Sequence, residues 1–202
     1  MTQTRGATQL SEATATVVAV PDASRVQDIV ILAQNMALRR SDPDYYALEL
    51  GSNVLGGGFY STRLTIHLRK EAGLVYSAGS SLQAGRTRGV YLINLACDPQ
   101  NVSRAAAMAV QEVKDMQDKP AGEEELLRVK SMLLRQIPLG NASIHGIAGN
   151  YLGYADSGLP LNEDAIAAQH FIDLKPTDVQ AAFRKWMRPG DFVQVTQGPG
   201  SP

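Results

Sequence analysis

Cysteine is nearly absent from this sequence of 202 residues: there is one, Cys97, so no internal disulfide can form. It lies at the end of an apolar run, flanked by Leu95, Ala96 and Asp98, and reads as a buried structural thiol rather than a nucleophile. Charge of one sign is not in excess either. Lys plus Arg number 19 against 20 Asp plus Glu, a formal net charge of -1, which argues against nucleic acid as the main ligand because no surplus of cations meets the phosphates. No apolar run of about 18 residues occurs, so no membrane-spanning helix is expected. The first residues, MTQTRGATQLSEATATVVAV, lack the apolar core of a signal peptide. The expectation is a soluble chain whose compartment the sequence leaves open, cytoplasmic or periplasmic if it is bacterial, since an upstream piece could have carried an export signal.

Histidine is scarce as well, with only His67, His145 and His170. Neither H-E-x-x-H nor its inverse H-x-x-E-H occurs, and a catalytic zinc wants three protein ligands. His67 and Glu71 are four apart and read as a surface pair, an incomplete metal shell. No metal is expected on this chain alone. There is no G-x-S-x-G around a serine nucleophile. The glycines at 56–58 lack a third glycine at position 61 and a following G-K-[ST], which excludes the phosphate-binding loops. They either end a helix and turn the chain, or form a loop that lets a substrate backbone approach closely. Trp186 and the tyrosines are scattered and imply no stacking platform.

What remains is an ordinary globular composition, 44% hydrophobic and 19% charged, enough for one domain with a sizeable core. Residues 1–13 read as a flexible leader and 14–199 as a single α+β domain. Strands are expected at 14–20, where Pro21 and Asp22 interrupt, at 27–35, at 74–82 and 90–97 as a hairpin, and at 192–196. A helix from Asp44 to about Leu55 is capped by Ser41 or Asp42, with Pro43 in its first turn and Tyr46, Leu50, Asn53 and Val54 on one stripe. A second helix runs from Ser61 to Lys70, with Leu64, Leu68 and Ile66 inward and Gly73 in the left-handed cap. Val102, Ala106, Ala109, Val113 and Met116 step by fours and threes, a core-facing helical stripe. After Pro120 and Gly122, Glu123, Glu124 and Glu125 suit the positive end of the next helix. Leu126, Val129, Leu133 and Leu134 form its apolar face. Helical pattern continues over 141–154, with short helices at 163–171 and 176–186.

The stretch 55–77, LGGGFYSTRLTIHLRKEAGLVYS, resembles the M16 zinc-peptidase family, the pitrilysin, insulin-degrading-enzyme and mitochondrial-processing-peptidase group. Its order is helix, Gly-rich turn, Arg63-Leu64, Leu68-Arg69, then G-L-x-Y from Gly73 to Tyr76. Asp42-Pro-Asp-Tyr-Tyr-Ala-Leu before the glycines, Gly158-Leu-Pro, Thr177-Asp178-Val179 and the late Gly198-Pro199 agree with the family's C-terminal domain. One departure is that Phe59, Tyr60, Ser61 and Thr62 separate the glycines from Arg63, where relatives have one residue and then S-R-L.

The resemblance implies an M16-like sandwich: one mainly antiparallel sheet with helices packed on one face. It implies the non-metal half of a peptide hydrolase, inactive alone, whose Zn2+ sits on a zinc-bearing N-terminal domain or subunit. The positions matching the family's catalytic support residues are Arg69 and Tyr76. Gly56, Gly57, Gly58 and Phe59 match a substrate-facing turn. The implied partners are that zinc domain and a peptide substrate, with no nucleic acid and no membrane; the isolated domain could also form a homodimer. A catalytically inactive structural homologue is the alternative.

Overall fold

A computed structural model describes residues 15–57 and 61–199. The chain runs β1 (Val17–Pro21), β2 (Asp28–Met36), α1 (Asp44–Gly56), a π-helix (Thr65–Glu71), β3 (Ser77–Ala84), β4 (Gly89–Cys97), a 3-10 turn (Pro99–Asn101), α2 (Val102–Asp118), α3 (Glu123–Gly140), α4 (Ile144–Ser157), α5 (Glu163–Asp173), α6 (Pro176–Trp186) and β5 (Val193–Gly198). The five strands form one sheet in the order β1-β5-β2-β4-β3. Every pair is antiparallel except β1 with β5, which run parallel. The expected α+β sandwich is what forms.

Period-two alternation decides which sheet face is covered. Val30, Leu32 and Met36 of β2 are buried, and register sets Leu95 and Ile93 of β4 beside Val30 and Leu32. Helices cover this face. The α2 stripe expected from spacing is there, with Ala105, Ala106, Ala109, Val113 and Met116 buried, and Tyr91 of β4 meets Phe183 of α6 edge-on at 6.4 Å. Each fully buried Leu or Phe contributes about 1.5–3 kcal/mol of transfer free energy. Buried Gln34 is satisfied at both ends: Nε2 donates to the Trp186 carbonyl at 2.8 Å and Oε1 accepts from the Arg188 N–H at 2.7 Å, which pins β2 to the end of α6. The other sheet face carries Ile29, Ile31, Val193, Val195 and Leu92, all half-buried, with Asn94 exposed among them.

Several local expectations change. Pro21 does not interrupt β1; it closes the strand opposite Gly198. An edge position next to a parallel neighbour tolerates a residue without an N–H. Asp42 does not cap α1. Its carboxylate accepts from the Arg39 N–H at 2.8 Å and from the Arg39 guanidinium at 2.7 Å, and Pro43 takes the cap position. The strand expected from Leu74 starts at Ser77, because Leu74 and Val75 are spent on burial after the turn. The helical pattern across 141–154 is broken at Asn141, and a new helix begins when the Ser143 hydroxyl accepts from the Gly146 N–H at 3.0 Å.

That new helix, α4, buries none of its residues. Polar side chains hold it: Tyr154 donates to the Asp164 carboxylate, and Asn150 Nδ2 donates to Asn141 Oδ1 at 3.0 Å. Beside it a charged cluster is shut inside. Glu163 is 2% exposed and accepts from Arg40 Nη2 at 2.7 Å and the Tyr46 hydroxyl at 2.9 Å. Arg40 lies over the Tyr45 ring at 4.0 Å, and His170 stacks on Tyr46 at 4.1 Å. Removing one member of a buried pair leaves the other charge unpaired in low dielectric. Arg40→Ala is therefore expected to destabilise the fold by about 3 kcal/mol in denaturant unfolding, with Arg40→Lys recovering part of the loss.

Candidate functional site

The residues singled out by the sequence lie between the end of α1 and the start of β3. Gly56 is buried where α1 crosses β3, and a Cβ there would overlap the backbone nitrogen of Ser80. Close helix–strand approach accounts for this glycine. Gly57 closes the helix, its N–H donating to the Asn53 carbonyl at 3.3 Å. Gly58 and Phe59 lie outside the described residues.

Beyond the turn, Leu64 and Leu68 are fully buried, as expected, while Ile66 is only half-buried. Arg63 is locked to α3 by two parallel bonds, Nε to Glu125 Oε1 at 3.1 Å and Nη2 to Oε2 at 2.9 Å. Burial alone would push the Glu125 carboxyl up. The Arg63 hydrogen bonds, the Gly122 N–H donating at 2.8 Å and the Arg63 charge outweigh it and hold the group below the usual range. The expected role of this glutamate in starting α3 thus holds, with the Arg63 clamp added.

The segment expected as an α-helix winds wider. The Ala72 N–H donates to the His67 carbonyl at 3.0 Å, five residues back, and the Leu74 N–H to Leu68 at 2.9 Å. This wider winding changes the company His67 keeps. Instead of pairing with Glu71, its Nδ1 sits 2.6 Å from Oε1 of buried Glu112 on α2. Gly73 then takes φ +62, the left-handed conformation that side chains with a Cβ disfavour. Nothing lies within 4 Å of where its Cβ would be, so the requirement is conformational and not steric. Leu74 and Val75 plug into the core, and the Tyr76 N–H donates to the Ala96 carbonyl at 2.7 Å.

Arg69 and Tyr76 flank this turn, and both are exposed. The Tyr76 phenol, 55% exposed, donates to Oδ1 of Asp98 at 2.8 Å. That hydrogen bond, and then the Asp98 charge, push the phenol above its ordinary value. Asp98 was not singled out in the sequence, being 22 residues from Tyr76. The hairpin register is the signal that finds it, because Ser77 opposite Ala96 brings Tyr76 to the end of β4. Cys97 next door is fully buried, and burial, then the charges of Asp28 and Asp98, push its thiol up to about 11. It is no nucleophile at neutral pH. Among the described residues no three His, Cys, Asp or Glu side chains come together to hold a metal ion.

Comparison with known proteins decides the family. The model described as Peptidase M16 inactive domain matches residues 3–133. The chain belongs to the M16 peptidase family. Within it, the chain is 26% identical over 97 residues to the Bacillus subtilis (strain 168) protein named Probable inactive metalloprotease YmfF, covering 48% of this chain and 22% of that one. The crystal structure of a peptidase M16 inactive domain from Pseudomonas fluorescens superposes with a TM-score of 0.85 at 28% identity, over 95% of this chain and 45% of that one. A protease from Helicobacter pylori shares the fold with a TM-score of 0.82 at 19% identity, over 92% of this chain and 45% of that one. This M16 chain thus spans less than half the length of these relatives. The matched model describes an inactive M16 domain, in line with the absence of a metal-holding cluster among the described residues.

The Arg63–Glu125 clamp carries a pH signature. Because the folded carboxyl is held below its unfolded value, its contribution is full above the ordinary carboxylate range and lost as pH falls through the folded value. Arg63→Ala is expected to cost on the order of 1 kcal/mol at neutral pH. Urea unfolding at a series of pH values should show the gap between variant and wild type closing on acidification.

Proposed function

We propose that this domain is the non-metal half of an M16-type zinc metallopeptidase, closing the peptide-binding chamber and lending Arg69 and Tyr76 to the zinc site of a partner domain. The observation that carries the reading is an exposed phenol and an exposed guanidinium on either side of a conformationally fixed turn, in a domain of the inactive type. Exposed positions can serve a surface opposite; buried ones could not.

The chemistry is set by the charge that develops on the substrate. Attack of water on a peptide carbonyl builds negative charge on its oxygen. A phenol O–H aimed at that oxygen stabilises it more in the transition state than in the ground state. The Arg69 guanidinium offers planar paired donors for peptide carbonyls or a carboxylate. The metal, the general base and the attacking water belong to the partner. The substrate proposed is an unstructured, presequence-like peptide, the form that a closed chamber admits. Contact of the turn at Gly57, Gly58 and Phe59 with that peptide is part of the same proposal, while Gly56, buried against β3, drops out of the expected substrate-facing set.

A second reading is a catalytically inactive structural homologue, favoured by the name of the Bacillus relative. Mixing separates the two. The purified chain, with and without a zinc-bearing M16 partner, is assayed on a quenched peptide. Hydrolysis only in the mixture, falling by about 10²–10³ in Tyr76→Phe, is the expected result. An unchanged rate in Tyr76→Phe removes the tyrosine role and favours the structural reading. Sedimentation of the chain alone reports whether it forms a homodimer.

A further inference from the structure

The phenol proposed as a donor already has a use for its hydrogen. A tyrosine carries one O–H, and that of Tyr76 is given to Asp98 at 2.8 Å. A residue that merely positioned the tyrosine for oxyanion binding would donate to the phenolic oxygen and leave the hydrogen free. Asp98 does the opposite, since its Oδ1 accepts. Its place in the fold makes the contact more pointed. Asp98 precedes Pro99 at the head of the 3-10 turn leading into α2, where an aspartate ordinarily caps with its side chain. No such side-chain cap forms; the turn is closed by the backbone, the Asn101 N–H donating to the Asp98 carbonyl at 2.9 Å. The carboxylate is turned to the phenol instead.

We infer that Asp98 is a latch on Tyr76, holding the phenol in a resting position that the substrate oxyanion must displace. The inference rests on the proposed role of Tyr76 and adds a residue with a role of its own. Release needs no backbone movement. The Tyr76 N–H stays on the Ala96 carbonyl at 2.7 Å, and Leu74 and Val75 stay buried. A rotamer change of one exposed side chain is enough, and such changes are fast compared with turnover.

Two measurements on Asp98→Ala and Asp98→Asn test it. The first uses the chain alone: ultraviolet titration of the phenols, with Tyr76→Phe subtracted to isolate Tyr76. Loss of the carboxylate should bring the Tyr76 titration down toward the ordinary tyrosine value, and an unchanged titration overturns the latch. The second uses the mixture with the zinc-bearing partner. Freeing the phenol should raise kcat/KM about three- to ten-fold in Asp98→Ala, with Asp98→Asn between it and wild type because an uncharged amide oxygen still accepts. An equal or lower kcat/KM overturns the latch. The same substitution in a Tyr76→Phe background should do nothing. A gain there marks a general charge effect and also overturns it. Tyr76→Phe matching wild type in that assay sinks the catalytic role of the tyrosine itself, a failure distinct from an inert Asp98. Thermal melts of each variant confirm that the fold is kept, since the capping backbone bond does not use the side chain.

Discussion

Hydrogen bonding of β3 onto β4 sets the position of Tyr76 against Asp98. The pairing begins with the Tyr76 N–H on the Ala96 carbonyl and continues with Ser77 opposite Ala96 and Gly79 opposite Asn94. It ties the exit of the Gly73 turn to the strand that feeds α2. A one-residue slip would exchange the two faces of β3. It would move Tyr76 off Asp98 and take Leu82 out of the core. The register is protected by what surrounds it: α1 crosses β3 so closely at Gly56 that no side chain fits, and Leu74 and Val75 anchor the entrance.

Around that hairpin the domain separates two kinds of surface. Helices bury one face of the sheet, while the opposite face keeps half-buried aliphatic side chains. The charged contacts are likewise divided. Arg40 with Glu163 lies deep and fixes how α5 meets the start of α1. Arg63 with Glu125 is shallower and fixes the segment after the glycine turn to α3. Each ties a segment next to α1 to a later helix, the one before α1 to α5 and the one after it to α3.

Much of this was legible from residue spacing because the physics was local. The α2 stripe is a periodicity of apolar residues, and periodicity survives folding unchanged. Gly73 was legible because few residues other than glycine take a left-handed conformation cheaply. The losses have a common cause, competition from partners that the expected helix does not contain, near or far along the chain. Asp42 was available as a cap and went to Arg39; His67 had Glu71 in reach and took Glu112; Asp98 sat at a capping position and turned to Tyr76. The π winding of 65–71 leaves no mark in the hydrophobic pattern, since Leu64 and Leu68 point inward in either kind of helix. Exposure of Arg69 follows from residue type, whereas that of Tyr76 could be anticipated only through family resemblance, because spacing alone does not distinguish an exposed tyrosine from a half-buried one.

The helix α4 puts no residue in the core, and the side-chain bonds described for it are polar. With no side chain in the core, its attachment has little of the apolar term that dominates elsewhere in the fold. Its free energy of local opening is correspondingly a small part of the global value. Amide protons along Ile144–Ser157 should then exchange with solvent through excursions that leave the sheet intact, while those of β2 and β4 wait for the whole molecule to unfold. The domain is in that sense built of two tiers, a slow sheet-centred body and a quick outer helix, joined across Tyr154 and Asn150.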